Sequence, residues 1–239
     1  MRLQRYTLSI LFFVLFLAVS AVAAEEKLVF AATLMRHGDR SPYAAMSSRV
    51  ISYEWPDGIG ELTPEGMEQT YQLGKRMRER YVETFRLLPP RFRANSMYVL
   101  SMSANRTLMS AQCFLAGLYP DGTGPRLTNG LRALPNLRQP IPIQTIPRKL
   151  PNLINPEHED AARVHELMVK HSFVQPEWIR WNREFAPDFR RWSRILGVEI
   201  KRLEDFLIPS DHVYCMLQHG VPLPKELSPA DVDKIIKLK

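Results

Sequence analysis

The chain has 239 residues, a formal net charge of +7 and 45% hydrophobic residues. That length suits one domain with a sizeable core, or one domain with an insertion. The charge is moderate and spread along the chain. Its densest basic run, 180–202, is interleaved with Trp178, Trp181, Phe185, Phe189 and Trp192. It reads as an amphipathic helix with aromatics inward and arginines in water, which sets nucleic acid aside as a partner.

The N-terminus reads as a secretory signal. Arg2 and Arg5 precede an almost wholly apolar stretch from Leu8 to Val19, and Ala21-Val22-Ala23 is a small-x-small cleavage site. Residues 1–23 are therefore expected to be removed, leaving a mature domain over 24–239. An uncleaved anchor is the alternative, because Leu8 to Ala24 is broken only by Ser9 and Ser20, although that stretch is slightly short of the about 20 residues that span a bilayer. The secretory route permits disulfides, but Cys113 sits in an apolar run, and sequence alone does not pair it with Cys215.

The segment Leu34-Met35-Arg36-His37-Gly38-Asp39-Arg40-Ser41-Pro42 carries the most chemistry. The apolar run Leu28 to Met35 predicts a strand that ends in a loop presenting Arg36, His37 and Arg40 together. In open α/β sheets, ligands bind at such strand ends. Arginine suits phosphate because its planar fork donates paired hydrogen bonds and stays charged. Like-charge repulsion pushes the histidine toward its neutral, nucleophilic form. The cluster suits attack on a phosphate ester.

Trp55-Pro56-Asp57-Gly58-Ile59-Gly60 reads as a turn-rich loop. Thr63 and Pro64 then open a helix as N-cap and first residue, and Pro89-Pro90 closes the segment. Met97 to Met102 has strand length. A polar loop with Arg106 follows, and then an apolar helix from Leu108. Two strand–loop–helix units imply a parallel sheet with helices on its faces. Both loops then share one edge, where Arg106 joins Arg36 and Arg40.

Residues 140–147 alternate like a strand whose prolines keep it from a central position. From Asn155 to Leu207 the chain reads as helical, broken at Pro156, Pro176 and Pro187. This predicts a helical insertion or cap over about residues 150–208. Ser228 caps a last helix, whose apolar face of Val232, Ile235 and Ile236 has nothing downstream to complete it. His158, His165 and His171 lie in or near a helical stretch without metal-ligand spacing, so neither a metal nor a cofactor is assigned.

Taken together, Arg36-His37-Gly38-x-Arg40-x-Pro42 resembles the signature of the histidine acid phosphatases, a branch of the histidine phosphatase superfamily. Trp55-Pro56-x-Gly58-x-Gly60-x-Leu62-Thr63-x-x-Gly66-Met67 resembles that family's next block. Asn105-Arg106-Thr107-Leu108-Met109-Ser110-Ala111 is similar to the segment with its third phosphate-binding arginine. Gln139-Pro140-Ile141-Pro142 and Tyr214-Cys215 are similar to later landmarks.

The resemblance implies a three-layer, mostly parallel sheet with helices on both faces and a helical cap, as in phosphoglycerate mutases. It also implies an acid phosphatase acting on phosphate monoesters in the secretory or lysosomal system or at the cell surface. His37 would become a phosphohistidine, while Arg36, Arg40 and Arg106 would hold the phosphoryl oxygens. Such positioning supplies roughly 8 kcal/mol or more of barrier lowering.

Two departures stand out. The family's downstream His-Asp pair, whose aspartate protonates the leaving oxygen, has no counterpart. Asp211-His212 is in the reverse order and falls too early, so the general acid is unassigned. Such an acid is typically worth 10²–10⁴-fold, or about 3–5 kcal/mol. At the third arginine, Asn105 stands where the family has an aspartate, and a neutral residue near Leu100 where it has an arginine.

The expectation is of the first part of a longer phosphatase, incomplete in its sheet and without the C-terminal membrane anchor of some members. A phosphate-binding or regulatory remnant and a phytase-like enzyme are the alternatives. The family's partner for the cysteine resembling Cys215 lies downstream, which argues against a Cys113–Cys215 bond. Asn105-Arg106-Thr107 is also a glycosylation sequon, expected to be unmodified in an active form because a glycan would cover the pocket. A homodimer is left open.

Overall fold

The computed structural model describes residues 27–146 and 161–238. The expected signal segment, Pro156 and His158 lie outside the described residues. Two parallel strands, β1 (Leu100–Met102) and β2 (Gln144–Ile146), pair in register Leu100 with Gln144 and Met102 with Ile146. The proline-flanked segment thus forms a strand, as its alternation predicts.

Residues 27–39 form no strand, contrary to the expectation for Leu28 to Met35. Val29, Phe30 and Leu34 are exposed, because no neighbour among the described residues offers a ladder to this segment. Among the described residues the sheet consists of this parallel pair, flanked by helices.

Helix α1 (Pro64–Arg78) starts where Thr63 and Pro64 predict, with the Thr63 side chain accepting from the Gly66 N–H. A π-helical turn, Glu79–Thr84, continues it. Helix α2 (Asn105–Leu118) begins three residues before the expected Leu108, so Arg106 lies in its first turn. The two helices cross at glycines. A methyl on Gly74 would overlap the Phe114 carbonyl, and one on Gly117 would overlap the Tyr71 carbonyl. Backbones can approach this closely only where neither carries a side chain. Leu115, Leu118, Tyr119 and Val82 form the core beside this crossing, against Val99 and Ile143 of the sheet side.

The second half is helical. Helices α3 (Ala161–His171) and α4 (Pro176–Leu196) lead to a 3₁₀ turn (Leu203–Phe206), α5 (Leu207–Gln218) and α6 (Pro229–Leu238). Pro187 lies inside α4 and does not break it. Proline costs the helix one N–H, but Phe189, Trp192 and Leu196 after it are fully buried and hold the helix to the core. Trp192 stacks on Phe206 with centroids 5.1 Å apart.

Ile235 of α6 is buried in the same cluster, with Val232 packed against it. The apolar face expected to lack a cover therefore meets α4 and α5. At the start of α6, the Asp231 carboxylate accepts from Trp192 Nε1, Ser228 and Arg191. Burial opposes its charge most strongly, but these hydrogen bonds together outweigh burial and hold its pKa at about 2.

None of the described helices is long and apolar enough to cross a membrane. Cys113 is a free thiol, so it makes no disulfide to Cys215.

The glycine crossing makes a direct prediction. Gly117→Ala is expected to destabilise the chain by about 1–3 kcal/mol, as overpacking does, although alanine favours helix by itself. Chemical denaturation measures this, and an unchanged or raised midpoint contradicts the crossing.

Candidate active site

The loop 36–42 is held by backbone contacts from the segment that leads into α1 and by a side chain of α2. Ser41 N–H donates to Glu61 O at 3.0 Å and Thr63 N–H to Asp39 O at 3.1 Å, flanking the isolated bridge of Arg40 with Leu62. Gly38 lies flat on the first turn of α1, where a methyl would overlap the Gly66 carbonyl. On its other side, Gly38 N–H donates to Ser110 Oγ of α2 at 3.1 Å. Gly38 is required here by close approach, not by a left-handed backbone.

His37 Nδ1 lies 2.7 Å from the Gly38 carbonyl oxygen. A carbonyl only accepts, so Nδ1 carries the hydrogen and Nε2 is left with its lone pair. The His37 pKa is lowered from 6.5, first by burial and then by the charges of Arg36, Arg106 and Arg40; the Gly38 hydrogen bond opposes the shift. Burial and these charges therefore favour the neutral imidazole. This agrees with the repulsion expected from the sequence, with burial as the larger cause.

A pocket of about 320 Å³ opens here, lined by Arg36, His37, Arg40 and Gln69 on one side and Asp211, Tyr214 and Cys215 of α5 on the other. Arg36 and Arg40 thus meet His37 as expected. Arg106 does so only in part. Its charge reaches His37, but its Nη1 donates to Gly60 O at 3.3 Å, and it is not among the lining residues. Arg106 Nε is buried without a hydrogen-bond partner among the described residues. Asn105 is exposed, and its Nδ2 donates to Glu61 at 3.1 Å.

Two residues to which the sequence assigned no role complete the site. Asp211 accepts from Arg40 Nη1 at 2.9 Å and Nη2 at 3.4 Å, and from the Tyr43 N–H at 2.9 Å. Its side chain is 4% exposed and that of Arg40 14%. Four residues on, Cys215 Sγ lies 3.5 Å from the Arg40 carbonyl oxygen, to which it donates. The second is His219 at the end of α5, whose Nε2 lies 2.7 Å from Asp39 Oδ2. Asp211, Cys215 and His219 recur every fourth residue, a helical-face pattern that was the one available signal for them.

His212 faces away from this pocket. Its Nε2–H donates to Ala44 O at 3.0 Å, and its pKa is lowered chiefly by burial. Asp39, Glu65 and His219 are the one set of ligand-type side chains among the described residues whose donor atoms cluster within 4.8 Å. The imidazole faces the two carboxylates with different nitrogens, and Thr63 Oγ1 also donates to Asp39. Hydrogen bonds account for the Asp39 contacts.

Removing one partner of a buried charge pair leaves the other unpaired. Asp211→Ala is expected to cost about 3 kcal/mol or more, and Asp211→Asn less, because its amide oxygen still accepts from Tyr43. Urea unfolding measures both, and a loss for Asp211→Ala below about 0.5 kcal/mol, as at an exposed pair, contradicts the assignment.

Comparison with known proteins agrees with this geometry. Residues 27–207 match the model of the histidine phosphatase superfamily (branch 2). The chain is 34% identical over 223 residues to the testicular acid phosphatase of Homo sapiens, covering 86% of this chain and 47% of that protein. It is 33% identical over 212 residues to the lysosomal acid phosphatase of Bos taurus, covering 88% and 48%. It thus spans about half the length of the curated relatives it matches. Among solved structures, the phytase of Klebsiella sp ASR1 shares the fold with a TM-score of 0.56 at 16% identity, covering 84% of this chain and 55% of that one. The apo phytase of Hafnia alvei does so with a TM-score of 0.54 at 18% identity, covering 84% and 56%. The chain belongs to the histidine phosphatase superfamily, branch 2.

Proposed function

We propose that this chain carries the site of an acid phosphatase that hydrolyses phosphate monoesters through a phosphohistidine at His37. One observation carries the reading: a histidine with Nδ1 committed to Gly38 O and Nε2 free, in a pocket with Arg36 and Arg40. The Nε2 lone pair attacks phosphorus, and the ester P–O bond breaks. The leaving oxygen departs with the bonding pair and takes a proton from solvent. Water then attacks phosphorus and gives up a proton to solvent, the P–N bond breaks with its pair returning to Nε2, and inorganic phosphate leaves. Arg36 and Arg40 bind the phosphoryl oxygens, with Arg106 adding charge. The lowered His37 pKa supports work in acid, where an ordinary histidine is protonated and cannot attack.

The two carboxylates that line the pocket are both engaged as acceptors, Asp211 with Arg40 and Tyr43 and Asp39 with His219 and Thr63. This favours a second reading, phosphate capture with little turnover of poor leaving groups. Inositol phosphates are a lesser alternative that rests on fold likeness to the phytases. The frame we infer is the three-layer sheet of the family, with α3 and α4 in its cap. A secretory or lysosomal location is supported by the apolar N-terminal segment and by the lysosomal relatives.

Two measurements test this reading. kcat/KM for an aryl phosphate should fall on the acid side with a midpoint below 6.5, because His37 must lose its proton to attack and its pKa is lowered; a midpoint at or above that value contradicts it. Aryl phosphates should exceed alkyl phosphates by about 10²–10⁴-fold, the typical worth of a general acid, with His37→Ala inactive on both. Equal rates on both classes overturn the placement of Asp211 as a clamp.

A further inference from the structure

Asp39 is an acid in the wall of a pocket that the reading above gives to an anion. It lies one residue from Arg40 and three from Arg36. A free carboxylate there competes with phosphate for the guanidinium donors and repels its charge. The structure shows what occupies it. Asp39 Oδ2 accepts from His219 Nε2 at 2.7 Å and from Thr63 Oγ1 at 2.5 Å. The His219 side chain is 14% exposed. Its ring stands edge-on to Trp55, centroids 5.2 Å apart and planes at 89°. Its backbone N–H donates to Cys215 O at 3.1 Å, closing α5. The other ring nitrogen faces Glu65 at 3.8 Å.

The neighbouring Asp39 and Arg40 therefore each meet a partner from the same helix, Asp211 within α5 and His219 at its C-terminal cap. Arg40 meets Asp211, and Asp39 meets His219. We propose that His219 is a positioning residue of the phosphate site, holding the Asp39 carboxylate so that it leaves Arg36 and Arg40 to the anion. This rests on the phosphate-site reading above. Its own content is that the effect of His219 on phosphate runs through Asp39.

The test measures the dissociation constant of inorganic phosphate by calorimetry on the full chain and its variants, with thermal melts to verify folding. His219→Ala should weaken phosphate about tenfold. His219→Gln, whose side-chain amide nitrogen can donate from nearly the same place as Nε2, should return it to within about twofold. On an Asp39→Asn background, His219→Ala should cost nothing further, because the competing charge is gone.

Parent-like binding by His219→Ala overturns the inference, as does an undiminished loss on the Asp39→Asn background. If His219→Ala does not fold, His219→Gln against His219→Asn decides. The shorter amide cannot reach Asp39, so equal binding by the two overturns the proposal. A parent chain that binds no phosphate, or whose phosphate binding is indifferent to Arg36→Ala, sinks the phosphate-site reading and this inference with it. A parent that binds phosphate and ignores His219 sinks the inference alone.

Discussion

The site depends on one buried ion pair. Arg40 sits in the loop after the extended N-terminal segment and Asp211 in α5, 171 residues later. Their pairing fixes the guanidinium in place, and the Tyr43 N–H on the same carboxylate fixes the chain just beyond it. A planar fork held on one edge by a carboxylate offers its remaining donors in a set direction, which a mobile lysine could not do. Arg40 also lies over the Tyr43 ring at 5.5 Å. The helix that supplies Asp211 is itself anchored by Val213 in the aromatic core around Trp192 and Phe206. Core packing in the second half of the chain thus sets an angle in the first half.

Two constraints surround that pair. The first is steric. Gly38 and Gly66 bring the loop against the start of α1, and Gly74 and Gly117 bring α1 against α2. The 36–42 loop and the helix bearing Arg106 are therefore both referred to α1. Ser110 joins them directly, accepting from Gly38 and donating to the Arg106 carbonyl at 2.6 Å. The second is electrostatic. Burial first, and then the charges of Arg36, Arg106 and Arg40, lower the His37 pKa, while Asp211 of α5 supplies the countercharge to Arg40.

Much of this was legible in the sequence because its signals are local. Thr63-Pro64 and Ser228 announce helix starts through side chains that reach two or three residues ahead, and both caps form. The Arg-His-Gly-x-Arg spacing brings its side chains together by the shape of one loop. What escaped is non-local. Leu28 to Met35 has a strand's composition, but a strand exists only with a neighbour, and none pairs with it among the described residues. Pro187 reads as a stop, yet the burial of Phe189 and Trp192 outweighs its local cost. Asp211 and His219 were invisible as site residues because their partners lie 171 and 180 positions away. Their spacing with Cys215 marks a helical face but does not name what the face meets.

The proposed nucleophile is His37 Nε2, selected by the Gly38 carbonyl that holds Nδ1. Quenching the reaction with an aryl phosphate, followed by peptide mapping and phosphorus NMR of the phosphorylated chain, locates the phosphoryl group. A base-stable, acid-labile phosphoryl group on His37, attached at Nε2, is expected. A phosphoryl group on Nδ1, on another residue, or turnover that persists in His37→Ala would contradict it.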